Sequence, residues 1–169
     1  CVVEVCHFVN RVASFARICF ENGSKTNADL HFAFSTRSYS ELEKTNHFQY
    51  FAFRSTIHSN KQITYVIENA GDSSFPVAWP GSTTCVTRDL HDANSWTRAL
   101  DTFYADGKLT WTTDQSAGST YFSYFPPYSY GRHLDLIQKC AQSEYATVQV
   151  LGQSLDGRDI ECVKAGSGD

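Results

Sequence analysis

Between residues 28 and 125 the chain is built from short runs of Phe, Tyr, Val, Ile and Thr closed off by Asn, Asp, Gly or Ser, and this texture limits the fold more than any other feature. β-Branched and aromatic side chains suit a pleated, half-buried surface, and a strand turns alternate residues to opposite faces. Runs at 28–34, 47–55, 62–68, 83–89, 95–98, 101–105, 108–113 and 119–125 read as strands. In Ala28-Asp29-Leu30-His31-Phe32-Ala33-Phe34 and in Lys108-Leu109-Thr110-Trp111 the apolar residues alternate, as one buried and one wet face require. Asp106-Gly107 separates Thr102-Phe103-Tyr104 from Leu109-Thr110-Trp111 and predicts a type I′ hairpin turn, whose two central residues need positive φ. Many short strands joined by turn residues predict a mainly β chain folded as an antiparallel sandwich.

Phe125-Pro126-Pro127 ends this regime, because neither proline can donate to a strand ladder and the second restricts the first. Beyond it Leu134, Ile137, Cys140 and Ala141 share one face of a helix over 131–143; a strand at 145–151, a turn at Asp156-Gly157 and a strand at 158–164 follow. Ahead of the sandwich, polar Glu4, His7, Arg11 and Ser14 recur at steps of three and four from Val2 to Ile18, which predicts an amphipathic helix. A signal-peptide reading fits poorly, with no basic start and an early Glu4. The division expected is therefore an N-terminal segment 1–18, a sandwich domain 19–127 and the beginning of another domain at 128–169. With Cys1 first and no Met in the 169 residues, the chain reads as a fragment or a processed form.

Composition removes several classes of function. Lys plus Arg number 14 against 18 Asp plus Glu, a formal charge of −4 with no basic run, so neither nucleic acid nor an anionic membrane is an expected partner. Glu4, Arg11 and Arg17 break the greasiest stretch below the ~18 apolar residues a membrane span needs. The six cysteines, Cys1, Cys6, Cys19, Cys85, Cys140 and Cys162, form no Cys-x-x-Cys pair and read as reduced thiols of a cytoplasmic protein. The lone sequon Asn22-Gly23-Ser24 carries no weight in that compartment.

Three stretches carry a family resemblance. Tyr121-Phe122-Ser123-Tyr124-Phe125-Pro126-Pro127-Tyr128-Ser129-Tyr130 leads into Arg132-His133-Leu134-Asp135-Leu136-Ile137 and then Val150-Leu151-Gly152-Gln153-Ser154-Leu155-Asp156-Gly157-Arg158-Asp159-Ile160. This resembles the junction between the sandwich and catalytic domains of cytosolic-carboxypeptidase-like zinc peptidases, where a Phe-x-Pro-Tyr corner enters the first helix and a Gly-x-Ser-x-x-Gly-Arg turn links two strands. Upstream, Phe48-Gln49-Tyr50-Phe51-Ala52-Phe53-Arg54, then Ile67-Glu68-Asn69-Ala70 with Trp79-Pro80-Gly81, then Trp96 with Arg98, are similar to the family's strands in the family's order. The resemblance spans roughly residues 20–165 and leaves 1–18 unmatched.

What it implies is the non-catalytic N-terminal portion of a zinc metallocarboxypeptidase, followed by the start of the α/β peptidase domain. Zinc would serve the intact parent protein and none would be bound here; the partners implied are the rest of the peptidase domain and peptide or protein C-termini, acidic tails among them. Such an enzyme needs His-x-x-Glu, a distant His and a separate general-base Glu. The residues three after His7, His31, His47, His58, His91 and His133 are Asn10, Phe34, Tyr50, Lys61, Asn94 and Leu136, so no ligand pair exists in the chain and no catalytic or metal residue is assigned. The family's first ligand pair would fall just past Asp169.

The remaining candidates are structural. Pro127, Tyr128, Tyr130 and His133 are expected at the domain junction, with Tyr128 to His133 as contact residues. Gly152, Ser154, Gly157 and Arg158 form the motif turn, which either cradles an anion or, the simpler reading, closes two strands. Arg158 either anchors that turn through backbone carbonyls or faces substrate, the first being preferred. Asp89, His91 and Asp92 read as turn formers and not as a metal cluster. The Tyr121–Tyr130 aromatics read as core and interface packing in preference to a sugar platform. A stand-alone sandwich module that binds a protein or glycan is the alternative to the peptidase reading.

Overall fold

The computed structural model describes residues 2–4, 19–21, 27–33 and 49–166, with 2–4, 19–21 and 27–28 described in their main chain alone. The chain divides into two compact units, Cys1–Pro127 and Tyr128–Asp169. Among the described residues no helix is long and apolar enough to cross a membrane.

Among the described residues the first unit holds ten strands: β1 Val2–Glu4, β2 Cys19–Glu21, β3 Asn27–Phe32, β4 Ala52–Ile57, β5 Lys61–Ile67, β6 Thr84–Thr87, β7 Thr97–Ala99, β8 Phe103–Ala105, β9 Lys108–Gln115 and β10 Gly118–Ser123. They form two five-stranded sheets, ordered β1-β4-β10-β6-β7 and β2-β3-β5-β9-β8. Every neighbouring pair is antiparallel except β3 and β5, which run parallel from Asn27↔Gln62 to Phe32↔Ile67. A parallel pair needs a crossover. Here the chain makes it by leaving β3, laying β4 into the other sheet and returning through His58–Asn60 to β5.

Alternation decides which side chains meet between the sheets. In β4 Phe53, Ser55 and Ile57 are buried, in β5 Ile63, Tyr65 and Ile67, in β9 Leu109, Trp111 and Gln115, and in β10 Thr120 and Phe122. Phe53 is the hub of the aromatic core. Its ring lies 5.2 Å from Phe122, 5.0 Å and edge-on to Phe32, and 5.6 Å from Tyr65, while Tyr65 stacks on Trp111 at 5.4 Å. Each such pair adds about 0.5–1.5 kcal/mol beyond burial. A polar seam runs through this core: Gln115 Nε2 donates to Tyr65 Oη, which donates to Ser55 Oγ at 2.7 Å. Burial pushes the Tyr65 phenol up to about 12, with the bonds to Ser55 and Gln115 opposing the rise.

The Asp106-Gly107 turn forms as the dipeptide predicts, with φ of 50° and 75°, and joins β8 to β9 in the Ala105↔Lys108 register. Two short 3₁₀ turns, Ala70–Asp72 and Pro76–Ala78, follow β5. They are tied down by Trp79, fully buried, whose indole Nε1 donates to Ala70 O at 2.8 Å and to Ser73 Oγ at 2.7 Å.

Two expectations shift. The strand predicted at 47–55 is displaced toward the C-terminus as Ala52–Ile57, because Ser55 and Thr56 stay in register with Thr120 and Ser119 and Thr56 Oγ1 bonds Ser119 Oγ at 2.9 Å. Gln49, counted as strand, spends its side chain instead on both main-chain groups of Phe75, accepting from N at 3.0 Å and donating to O at 3.2 Å. Val2–Glu4, read as the start of a helix, is extended and pairs antiparallel with Thr56–Arg54, as β-branched Val2 and Val3 permit. The rest of that predicted helix, residues 5–18, lies outside the described residues.

The second unit is a helix, α1 Tyr130–Ala141, and a hairpin of β11 Ala146–Gln153 and β12 Asp159–Ala165. Ser129 caps the helix, its hydroxyl accepting from Arg132 N at 3.2 Å. None of the described residues of this unit is buried; Ile137, Cys140 and Val148 are half-covered, whereas Leu134, Leu151 and Ile160 stand exposed and Leu155 is 94% accessible.

Candidate functional site

The residues singled out from the sequence gather mainly in the second unit. The β-region conformation of Ser129 starts α1 immediately after Tyr128, which sets Tyr130 and His133 one turn apart on the same helical face. Their rings stack at 5.9 Å and 26°. The Arg158 guanidinium stands 4.7 Å over the Tyr130 ring, Arg132 stands 5.5 Å over Tyr128, and Tyr128 meets His133 edge-on at 6.3 Å. His133 Nε2 and Glu161 Oε2, from β12, are 2.8 Å apart, with the His133 side chain 28% and the Glu161 side chain 9% exposed. Tyr128, Tyr130, His133 and Arg158 thus form one cluster in which two guanidinium groups face ring π-clouds.

The motif turn is closed by main chain and one hydroxyl. Ser154 N donates to Arg158 O at 2.7 Å, Gly157 N to Ser154 O at 2.9 Å, and Arg158 N to Ser154 Oγ at 3.1 Å. Gly157 takes φ of 74°, the left-handed region that a β-carbon disfavours. Arg158 therefore serves the turn through its backbone, while its guanidinium lies on Tyr130 and does not bond turn carbonyls as the sequence reading preferred. Gly152 sits beside the register shift between Val150 and Gly152, with open space where a β-carbon would project. Pro127 belongs to the first unit as its last residue.

In the first unit the C-terminal aromatic run divides by alternation. Phe122 is fully buried, Tyr124 packs on Trp79 at 4.9 Å and on Phe51 at 6.3 Å, and Phe125 is exposed with its ring 4.7 Å from Tyr50. Burial, aided by the nearby Cys85, pushes the Tyr50 phenol up to about 12, and burial likewise raises the Cys85 thiol against the lowering pull of Arg98. Cys85, Cys140 and Cys162 are free thiols. Around residue 90, Asp89 and Asp92 spend carboxylate oxygens on His91 N and Asn94 N, each at 2.8 Å, the side-chain-to-backbone turns expected of them. A charged trio unnoticed in the sequence lies on the second sheet: Glu68 bonds His31 Nδ1 with one oxygen and Lys108 Nζ with the other at 2.6 Å. Lys108 foremost, then His31, holds the Glu68 carboxyl below its ordinary range. Alternation along each strand was legible, but the parallel β3–β5 pairing that aligns His31 near Glu68 was not.

The chain belongs to the cytosolic carboxypeptidase N-terminal domain family, which matches residues 20–125. An uncharacterised protein from Zymomonas mobilis is 37% identical over 135 residues, 78% of this chain and 34% of that protein. A candidate carboxypeptidase A from Shewanella denitrificans superposes with a TM-score of 0.69 at 27% identity, over 100% of this chain and 41% of its own. Metallo-carboxypeptidases from Burkholderia cenocepacia and Pseudomonas aeruginosa share the fold, with TM-scores of 0.70 and 0.67 at 23% identity, over 99% and 96% of this chain and 40% of each of theirs. The chain thus spans 34% of its curated relative and two fifths of these solved structures.

Metallo-carboxypeptidases imply a metal, and the described residues do not fit one. Among them no group of three or more His, Cys, Asp or Glu could hold an ion. The two His–carboxylate contacts, His31–Glu68 and His133–Glu161, each lack a third ligand, and Lys108 occupies the other oxygen of Glu68. No catalytic step through zinc is derived from these residues.

Proposed function

We propose that residues 19–127 are the non-catalytic amino-terminal sandwich of a zinc metallocarboxypeptidase and that 128–169 begin its peptidase domain. The observation that carries this reading is that likeness to carboxypeptidase structures extends beyond the family's 20–125 match through the helix and hairpin, reaching 100% of the chain for the Shewanella protein. In this reading the zinc ligands and general base belong to sequence outside 1–169, and the partner of the helix–hairpin unit is the remainder of the peptidase domain. The substrates are peptide or protein C-termini in the cytoplasm, glutamate-ended tails among them. Tyr128, Tyr130 and His133 hold the first helix of the peptidase domain, and Gly152, Ser154, Gly157 and Arg158 shape its first hairpin.

The test compares 1–169 with the product of its reading frame extended downstream, on peptides ending in glutamate or in an apolar residue. The extended protein is expected to release C-terminal residues in a chelator-sensitive way, and 1–169 to release none. Chelator-sensitive release by 1–169, or a downstream frame without His-x-x-Glu, would overturn the proposal. Preference for the apolar-ended peptide would remove the deglutamylation part alone.

A further inference from the structure

At one end of the sandwich Asn60, Lys61, Gln62, Asp114, Gln115 and Ser116 line an open groove of about 310 Å³. The turn before β5 and the turn after β9 are tied together there, Asn60 Oδ1 accepting from Ala117 N at 2.9 Å. The strands beneath pair as Lys61↔Gln115 and Gln62↔Asp114. Alternation therefore turns Lys61 and Gln115 to the side of buried Ile63 and Tyr65, and Gln62 and Asp114 to the outer side. Lys61 and Asp114 are diagonal neighbours on two sides of the sheet end, and among the described residues no ion pair joins them. A cation and an anion thus share one groove without meeting. We propose that this groove binds a small zwitterion, an amino acid or a dipeptide, with its carboxylate against Lys61 and its ammonium against Asp114. The proposal concerns the first unit alone and is independent of the enzymatic reading.

The remaining groups fit that ligand and disfavour others. Asp114 accepts from Gln62 Nε2 at 3.0 Å with Oδ1 and keeps Oδ2 for an incoming ammonium. Gln115, 5% exposed, donates from Nε2 to Tyr65 Oη and to Thr113 Oγ1 at 3.2 Å, and its buried Oε1 has no donor. Buried polar atoms are nearly always paired, so this end of the core lacks one donor, which an amino or peptide N–H supplies. No aromatic or aliphatic side chain lines the groove, so an apolar molecule gains little by entering it. Asp114 offsets the charge of Lys61, so a polyanion such as a nucleotide is repelled as well as attracted. Ligand sites run from about 300 to 1,000 Å³, and a groove at the small end of that range suits one or two residues. Charge-assisted hydrogen bonds at both ends of the ligand supply the affinity.

The experiment is a titration of the full 1–169 chain with glycine and with glycylglycine, read through backbone amide shifts, beside acetate, methylammonium and glucose at matched ionic strength. At least one of the two zwitterions is expected to move the amides of 60–62 and 114–116 saturably, about fivefold more tightly than acetate or methylammonium, each of which carries one charge only. Lys61→Gln and Asp114→Asn should each weaken that binding about threefold to fivefold while the amide shifts of the core stay in place. Absence of saturable shifts with both zwitterions would overturn the proposal. Equal binding of glucose or of either single-charge probe would overturn it too, as would undiminished binding in either variant.

Discussion

The two units of this chain solve the same problem with unequal means. Among the described residues the sandwich packs fourteen buried ones into a single core cluster, with Phe53 in contact with rings from both sheets. The helix–hairpin unit buries none of its described residues, and its order rests on a capped helix, a main-chain-closed turn and a cluster of rings and charges. Burying apolar area is what offsets chain entropy, so a two-stranded hairpin under one exposed helix is marginal by itself. Good local signals can thus specify elements without supplying the packing that keeps them folded.

The contrast is broken most severely at its strong end. Replacing Phe53 by Ala should cost the sandwich ~3–5 kcal/mol, measured by denaturant unfolding followed through tryptophan fluorescence, because it removes a ring packed on every side. A loss below about 1 kcal/mol would mean the core repacks freely. At the weak end, amides of β11 and β12 should exchange at least tenfold faster than those of β5 and β9, consistent with fraying of an uncovered hairpin; equal protection would erase the distinction between the units. A smaller effect is expected from Ser129→Ala, about 1 kcal/mol of helix stability, seen as faster exchange at the first turn of α1 with the sandwich untouched.

The smallest effect concerns pH and the sandwich alone. Because the folded-state carboxyl of Glu68 is held below its ordinary range by Lys108 and His31, its contribution is present above the unfolded carboxyl's range and is lost as pH falls through the folded value. The side chain is a third exposed, so solvent screening limits the gain to below about 1 kcal/mol. Comparing unfolding free energies at pH 7 and pH 3 for the wild type and Glu68→Gln checks the sign: the variant should lose less on acidification.

What could be read in advance follows the range of the interactions involved. Asp106-Gly107 is decided by a few adjacent residues, and its turn lies where the dipeptide predicts; the helix expected at 131–143 forms at Tyr130–Ala141, its start set by the Ser129 cap that the periodicity did not mark. Val2–Glu4 escaped because three residues carry no period of their own and take strand geometry from β4, fifty or more positions away. A separation of 37 positions between His31 and Glu68 likewise hid the His31–Glu68–Lys108 trio, which exists only because β3 and β9 flank β5. At the candidate site Tyr128, Tyr130 and His133 were expected together only as junction residues; the predicted helix began at 131, so the stack of Tyr130 on His133 one turn along α1 was not readable. The arrival of Glu161 and Arg158 depended on how the hairpin folds back, which no spacing encodes.

The position of β10 has a consequence for the order of events at the ribosome. β4 lies between β1 and β10, and β10 ends at Ser123, almost at the close of the first unit. At translation rates of about 5–20 residues per second, a nascent chain would carry Phe53 without its cross-strand partner Phe122 for on the order of several seconds. During that interval the edge of β4 that β10 will cover stays open, and closure waits until the sequence just ahead of Pro126 has been made.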